Sequence, residues 1–169
     1  MLLVDRRAMT ENRDFLSLSL QLAGLEQLDV PAMVLLFTLE CSGENFYNDV
    51  ADRIGNDEAA ELLRRNAREE MGHARRISRA IEIKQGAAFE PSPEALERLT
   101  ISLPDSIPVE MLPLIVQGEI DGDAGYQQWA DNEPDPEVAR LLRLNGREES
   151  IHGRRVTEAI AILEQSQGS

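Results

Sequence analysis

The amino-acid sequence predicts an all-α protein, a four-helix bundle built from two duplicated antiparallel helix hairpins joined by a long crossover. The main observation is an internal repeat: residues 58–81 recur at 137–160 without a gap, and fourteen of these 24 positions are identical. Glu, Ala, Leu and Arg are prominent in the chain, and these residues favour helix. Short turns rich in Gly, Asn, Asp and Pro divide each half into two helical stretches, which predicts two hairpins.

The first half spans about residues 31–86. Pro31 is suited to the first turn of a helix that runs to about Ile54. The Gly-Asn-Asp turn at 55–57 then breaks the chain, and Asn56 or Asp57 can cap a second helix. A glycine at position 86 is a suitable end for that helix.

The second half spans about residues 108–165. Pro108 opens a helix to about Asn132, the turn at 133–136 contains two prolines, and the last helix runs to about Gln165. Between the halves, residues 87–107 form a long crossover of the kind found in some bundles, with a candidate short helix over 94–99. We therefore expect residues 31–165 to form a single domain.

Residues 1–30 form an N-terminal extension that we expect to be helical. The segment 15–22 alternates between apolar and polar residues like a strand, whereas Phe15, Leu18, Leu22 and Leu25 also fit one face of a helix. Periodicity alone leaves both readings open. We favour a short helix, which could lie at a dimer contact.

Composition restricts the partners and the compartment. The formal net charge of −14 in 169 residues argues against nucleic acid and anionic membranes, which both attract basic surfaces. The single cysteine, Cys41, allows no internal disulfide and favours a reducing compartment. No apolar run is long enough to span a bilayer, and no signal-peptide pattern is present. We expect a cytoplasmic protein.

Each half offers one lone glutamate and one Glu-x-x-His motif, whose two residues share a helix face. A single such motif usually lies on a solvated surface, but two copies in register, buried without a metal, would be costly. Carboxylates with neutral imidazoles are ligands suited to iron or manganese. The candidate metal ligands are Glu40, Glu70, His73, Glu119, Glu149 and His152.

Further matching residues accompany the lone glutamates. Tyr47 and Tyr126 follow them by seven positions, so they either hydrogen-bond the ligands or are core aromatics. Glu44 and Asp123 follow them by four positions and could orient a histidine from a neighbouring helix, because imidazole ligands usually donate their other N–H to a carboxylate or carbonyl. The alternative for both acids is a place on the surface.

Two glycines and two unmatched side chains complete the set. Gly43 and Gly122 each follow a lone glutamate by three positions, where glycine costs a helix about 1 kcal/mol relative to alanine. They indicate either close helix packing or room beside the metals for dioxygen, peroxide or a substrate. Cys41 is expected to be a packed small residue, and Trp129 to lie in the core or at a dimer surface.

These motifs resemble the ferritin-like superfamily, specifically its rubrerythrin and bacterioferritin branch. The resemblance covers most of the chain and implies a di-iron carboxylate site, in which manganese or a mixed iron–manganese pair could replace iron. It implies that Glu70 and Glu149 bridge the two metals. It further implies that Glu40 with His73 completes one ion and that Glu119 with His152 completes the other.

The chain also departs from rubrerythrins. It lacks their paired Cys-x-x-Cys motifs, and Gly122 occupies the position of their additional glutamate, which argues against their peroxidase-type metal movement. The resemblance implies an oxidoreductase of peroxidase or oxidase type that reacts with peroxide or dioxygen and needs an external electron donor. Iron storage and oxygenation of a small organic substrate are the alternatives. We expect a homodimer, since ferritin-like bundles commonly pair along helix faces.

Overall fold

The computed structural model describes residues 14–167, and no residue in that range lies in a β-strand. The predicted all-α bundle is confirmed, with helix ends a few residues at most from those predicted. None of the described helices has the length and apolarity needed to cross a membrane. The helices are α1 (Phe15–Ala23), α2 (Val30–Arg53), α3 (Asp57–Gln85), α4 (Leu112–Asp131, preceded by a 3-10 turn at Val109–Met111) and α5 (Pro136–Gln167).

The helices of the first hairpin begin and end where the sequence supplies caps. Asp29 accepts a hydrogen bond from the first turn of α2, and Pro31 lies in that turn. Asn56 caps α3 in the same way. At the other end of α3, Gly86 adopts a left-handed conformation with φ of 68°, which glycine adopts at no steric cost.

Two apolar clusters fill the bundle, one toward each end. Helix α2 packs on α3, α4 packs on α5, and α3 also packs on α5. Polar residues from the middle of all four long helices lie between the clusters. The first cluster takes residues from 32–41, 74–81, 126–130 and 138–142. The second takes residues from 47–54, 59–67 and 156–163, together with Ile107 and Leu112.

The crossover between α3 and α4 covers the outer face of α2. Its side chains Ala95 and Leu99 are buried. The Thr38 hydroxyl donates to the backbone carbonyl of Ala95 at 2.9 Å, and the Ser42 hydroxyl accepts from the backbone N–H of Leu99 at 2.9 Å. Two side chains of α2 thus anchor this otherwise irregular segment.

The short helix predicted over 94–99 is wrong, because the chain forms only a turn over 93–96. A helix would join the amide of Leu99 to the carbonyl of Ala95. Both groups bond instead to the hydroxyls on α2. Anchoring to the bundle replaces the local hydrogen bond.

The N-terminal segment is helical where the structure describes it, and residues 1–13 of the extension lie outside the described range. Helix α1 is capped by the Asp14 side chain and places Leu18 and Leu22 in the first cluster. The helical reading of this stretch is therefore correct and the strand reading is wrong.

Trp129 and Cys41 are both core residues, at 6% and 1% exposure. The Trp129 indole donates to the backbone carbonyl of Leu25 at 2.8 Å, which ties the segment after α1 to the end of α4. The thiol of Cys41 has a raised pKa because of its burial. Cys41 is a packed small residue, as expected.

Candidate metal centre

The polar layer at mid-bundle brings all six candidate ligands together. Helices α2 and α4 each contribute one glutamate, and α3 and α5 each contribute a glutamate and a histidine three residues apart. All six are buried, and the most exposed of them is only 9% accessible. They are Glu40, Glu70, His73, Glu119, Glu149 and His152.

The ligand atoms form two adjacent groups. Within each group, one potential ligand atom per residue lies within 4.8 Å of all the others. The smaller group is Glu40, Glu70 and His73, and the larger is Glu70, Glu119, Glu149 and His152. Glu70 belongs to both, and Glu149 also reaches the smaller group, with its Oε1 3.2 Å from His73 Nδ1. The two groups can therefore share carboxylates.

Both histidines direct Nδ1 toward the carboxylates. His73 Nδ1 lies 3.2 Å from Glu40 Oε2, and His152 Nδ1 lies 3.2 Å from Glu70 Oε1. The two rings are stacked, with centroids 5.1 Å apart. The rings are nearly parallel, and both histidines present Nδ1 to the centre.

The opposite ring nitrogens are held by two other glutamates. His73 Nε2 lies 3.0 Å from Glu148 Oε2, and His152 Nε2 lies 3.1 Å from Glu69 Oε2. A carboxylate only accepts, so each bond places a hydrogen on Nε2. In the neutral imidazole, the lone pair is then on Nδ1, where it faces the centre and can bind a metal.

Each of these outer glutamates is paired with an arginine. Arg155 forms a two-pronged pair with Glu69 at 2.7 and 2.9 Å, and Arg76 donates to Glu148. The pKa of Glu148 is lowered by its hydrogen bond to His73 and by Arg76, against the effect of burial. Burial also opposes ionisation of Glu69, but Arg155 outweighs it and lowers that pKa too. Both outer carboxylates are therefore held ionised.

Two buried asparagines position the arginines. Asn145 Oδ1 accepts from Arg76 Nε at 2.5 Å, and Asn66 Oδ1 accepts from Arg155 Nη1 at 3.0 Å. Each asparagine also donates to the backbone carbonyl of the histidine on the facing helix, at 3.4 and 3.2 Å. This series of hydrogen bonds, from asparagine to arginine to glutamate to histidine, thus occurs twice across the α3–α5 contact.

The two tyrosines bond to ligands of the opposite hairpin. Tyr47 on α2 donates to Glu119 on α4, and Tyr126 on α4 donates to Glu40 on α2. Burial and the neighbouring carboxylates raise the pKa of both hydroxyls, so they keep their protons. The structure thus favours the first of the two roles that the sequence left open for these residues.

The histidine-orienting role considered for Glu44 and Asp123 is wrong. Glu44 lies 3.4 Å from Arg98 of the crossover, and Asp123 accepts from the Ser150 hydroxyl at 2.5 Å. Neither contacts a histidine. A position four residues beyond the ligand glutamate lies toward the bundle surface on both helices.

The residues that do hold the histidines were missed, although the repeat contains their signal. These six residues form three pairs that are identical between the two copies at the 79-residue offset. They are Asn66 with Asn145, Glu69 with Glu148, and Arg76 with Arg155.

The glycines accommodate side chains of the facing helices. A Cβ atom at Gly43 would lie 2.8 Å from Glu70 Oε2, and one at Gly122 would lie 3.5 Å from Glu149 Cγ. A distance of 2.8 Å is shorter than Cβ atoms adopt in proteins, whereas 3.5 Å is an ordinary van der Waals contact. The room beside Gly43 is therefore filled by a candidate ligand, which favours the packing interpretation.

Without a metal, the cluster balances its charge with protons. Burial raises the pKa of Glu70 to about 8, and burial together with Glu149 raises that of Glu119. Burial opposes the ionised form of Glu149, but His73 and His152 outweigh it and lower its pKa. The neighbouring carboxylates overcome burial and raise the pKa of His152 to about 9 and that of His73 well above its usual value. Divalent cations could replace these protons.

Two buried atoms in the larger group support this reading. Glu119 Oε2 and His152 Nδ1 make no hydrogen bond within residues 14–167. A buried polar atom without a partner typically costs about 1–3 kcal/mol. A cation bound between these two atoms would satisfy both, and an oxygen–nitrogen ligand set fits iron or manganese.

Comparison with known proteins points in the same direction. The family model described as Rubrerythrin matches residues 34–101, which include Glu40, Glu70 and His73. No curated protein and no solved structure gives a significant match. The matched segment covers most of α2, all of α3 and part of the crossover. The second hairpin lies outside it and is related to the first through the sequence repeat.

Proposed function

We propose that the chain binds a pair of metal ions and uses them in a redox reaction with peroxide or dioxygen, a proposal that the similarity of residues 34–101 to the Rubrerythrin family model supports. The observation that carries the proposal is the pair of adjacent ligand groups that share Glu70. Two ions placed side by side can use one carboxylate in common, which a single-ion site does not require.

We assign the ligands by the distances within the cluster. Glu40 and His73 would hold one ion, and Glu119 and His152 would hold the other. Glu70 belongs to both groups, and Glu149 has oxygens 3.2 Å from His73 Nδ1 and 3.5 Å from His152 Nδ1. Glu70 and Glu149 therefore lie between the two groups, where each would be available to both ions.

The metal is iron in this proposal, with manganese or a mixed pair as the alternative. Four carboxylates and two imidazoles, without a thiolate, are typical of such ions rather than of a structural zinc site. Four negative charges from the carboxylates suit two divalent ions, which leaves the buried centre close to neutral.

A bound pair of iron ions would supply electrons to peroxide or dioxygen. The residues of the chain prepare the site for this role. Glu69 and Glu148 keep each imidazole in the tautomer that exposes Nδ1, and Tyr47 and Tyr126 orient the terminal carboxylates. The apolar clusters on both sides exclude bulk water. An electron donor from outside the chain would have to return the site to its reduced state.

The proposal is tested by loading metal-free protein anaerobically with Fe(II) and exposing it to peroxide or to dioxygen in separate experiments. We expect two irons per chain and oxidation of both by one of the two oxidants. Stopped-flow absorbance measures the rate and extent of this oxidation. The variants His73→Gln and His152→Gln should each lose one iron. Arg79→Gln, which changes an exposed residue of α3, should retain both.

Two results would contradict the redox proposal. One is iron that binds but is oxidised by neither reagent. The other is uptake of many irons per chain by a large closed assembly, which would indicate iron storage.

Light scattering on the same samples tests the proposed homodimer. Conversion of an added organic substrate, with dioxygen consumed in proportion, would indicate an oxygenase.

A further inference from the structure

A cleft opens on the outer side of the α3–α5 contact, behind the two histidines. It has a volume of about 300 Å³ and is lined mostly by charged side chains. Four arginines face two glutamates there, which gives an excess of two positive charges in a chain of net charge −14. These residues are Arg68, Glu69, Arg75, Arg76, Glu148 and Arg155.

The two carboxylates of the cleft already have hydrogen-bond and ion-pair partners. Each accepts from a histidine Nε2 and from Arg76 or Arg155, as described above. The excess positive charge therefore comes from Arg68 and Arg75. Within the described residues, the ion-pair partner of Arg68 is Glu61, in a pair whose side chains are 62% and 60% exposed, and such pairs contribute little. Arg75 has no ion pair with any residue of the described part of the chain.

A glycine keeps the cleft open. Gly72 lies in its wall, and a Cβ atom there would be 3.8 Å from both Arg75 Nη2 and Arg76 Nη1. The matching position of the second half is Ile151, which also lines the cleft. A side chain as large as isoleucine at position 72 would occupy the space onto which the two guanidinium groups open.

We propose that this cleft binds a small dianionic oxyanion of the phosphate or sulfate class. Guanidinium groups bind such anions through paired, charge-assisted hydrogen bonds. Within residues 14–167, Arg68 has only an exposed ion-pair partner and Arg75 has none. The size of the cleft suits a compact anion rather than a polymer. The anion would lie on the side of the imidazoles opposite to Nδ1, so it is separate from the proposed metal pair.

The cleft is also connected to the metal centre. Arg76 and Arg155, which would contact the anion, hold the glutamates that hold the histidine rings. A bound anion and the metal ions would therefore act on the same imidazoles from opposite sides. Any effect of the anion on metal affinity must be matched by an equal effect of the metals on anion affinity.

The experiment is a titration of the protein with sulfate at constant ionic strength, in both the metal-free and the metal-loaded form. Sulfate is chosen because it binds ferric iron more weakly than phosphate does. Binding is followed by calorimetry and by the NMR signals of the arginine Nε–H groups. We expect one sulfate per chain in both forms, with shifts at Arg75 and Arg76.

Three variants make the test specific. Arg75→Gln removes charge and Gly72→Ile fills the space without removing charge, and each should weaken binding about tenfold or more, the range that a charge-assisted hydrogen bond contributes. Arg79→Gln removes an equal charge from the exposed surface of the same helix and should bind as the parent does. Circular dichroism verifies that all three are folded.

Equal weakening in Arg75→Gln and Arg79→Gln would overturn the proposal, since it would indicate only general attraction of anions. Binding that disappears on removal of the metal would also overturn it, because the anion would then be a metal ligand. Neither result bears on the number of irons bound, so the metal proposal stands or falls separately.

Discussion

The two hairpins are nearly identical where they face the centre and different where they face outward. Toward the centre, each supplies a glutamate, a Glu-x-x-His motif, a tyrosine, and the asparagine, glutamate and arginine that hold a histidine. On the outer faces of α2 and α4, matched positions carry unrelated side chains. Ser42 and Cys41 are buried, whereas their counterparts Asp121 and Ile120 are exposed.

The crossover explains this difference. It covers the outer face of α2, where Ser42 and Thr38 bond to its backbone. The matched pair on α4, Gln117 and Asp121, bond to each other at the surface at 2.9 Å. Within residues 14–167, the crossover covers the outer face of α2 and leaves Ile120 and Asp121 of α4 exposed. The similarity at the centre therefore follows the buried polar cluster, and the divergence outside follows the crossover.

The largest effect is expected for Glu70 and Glu149, the carboxylates proposed to serve both ions, and substitutions at the two should have similar effects. Glu70→Ala and Glu149→Ala should each reduce bound iron from two per chain to less than about half an ion, because both ions lose a ligand and the charge balance is lost. Anaerobic equilibration followed by elemental analysis measures this. Glu61→Ala and Glu158→Ala, on the exposed faces of the same helices, are the controls. Two bound irons in only one of the bridging variants would disprove the equivalence.

Metal affinity should rise with pH. Without metal, Glu70 with a pKa of about 8 and His152 with a pKa of about 9 hold protons at neutral pH, and His73 does so too. Metal binding displaces these protons, so the affinity should rise about tenfold per pH unit for each proton displaced, between about pH 6 and 9. Calorimetry in buffers of different ionisation enthalpy counts the protons. An affinity that does not change between pH 6 and 8 is the contrary result.

On the outer faces, matched substitutions should have unequal effects. Ser42→Ala removes the acceptor for the buried N–H of Leu99 and should lower the free energy of unfolding by about 1–3 kcal/mol. Asp121→Ala changes an exposed pair and should alter it by less than about 0.5 kcal/mol. Urea unfolding of the metal-free proteins gives both values. Equal losses would mean that the crossover does not account for the asymmetry.

Smaller effects than at Glu70 and Glu149 are expected at the matched glycines, whose surroundings differ between the two halves. Gly43→Ala should displace Glu70, whose Oε2 lies 2.8 Å from the new atom, and weaken metal binding about tenfold. Gly122→Ala meets Glu149 at an ordinary 3.5 Å and should stabilise α4 by about 0.5–1 kcal/mol. Iron titration and thermal unfolding of both variants test this. Weaker iron binding in the Gly122 variant alone would reverse the assignment.

Much of the fold and of the candidate ligand cluster could be predicted, because helix ends and shared helix faces depend on residues that are close together in the sequence. Helix ends followed from caps such as Asn56 and Gly86, and a Glu-x-x-His spacing places its residues on one helix face. The partners of Glu44 and Asp123 could not be predicted in this way. They depend on how far each helix is rotated about its axis, and a period of 3.6 residues does not determine that rotation near the edge of a face.

The crossover shows a second limit. The turn over 93–96 depends on hydrogen bonds to Thr38 and Ser42, more than 50 residues away in the chain. Local sequence preferences carry no information about hydrogen-bond partners that are so distant in the chain. The identical Asn, Glu and Arg residues behind the histidines were visible in the repeat, but their roles required knowing that α3 packs against α5.

The crossed tyrosines also affect how this protein can change over time. Tyr47 acts on a carboxylate 72 residues further along the chain, and Tyr126 acts on one 86 residues earlier. The carboxylate affected by a substitution at either tyrosine therefore lies in the other hairpin. Selection on one hairpin depends on the sequence of its neighbour, and we expect related sequences to show correlated substitutions at Tyr47 with Glu119 and at Tyr126 with Glu40.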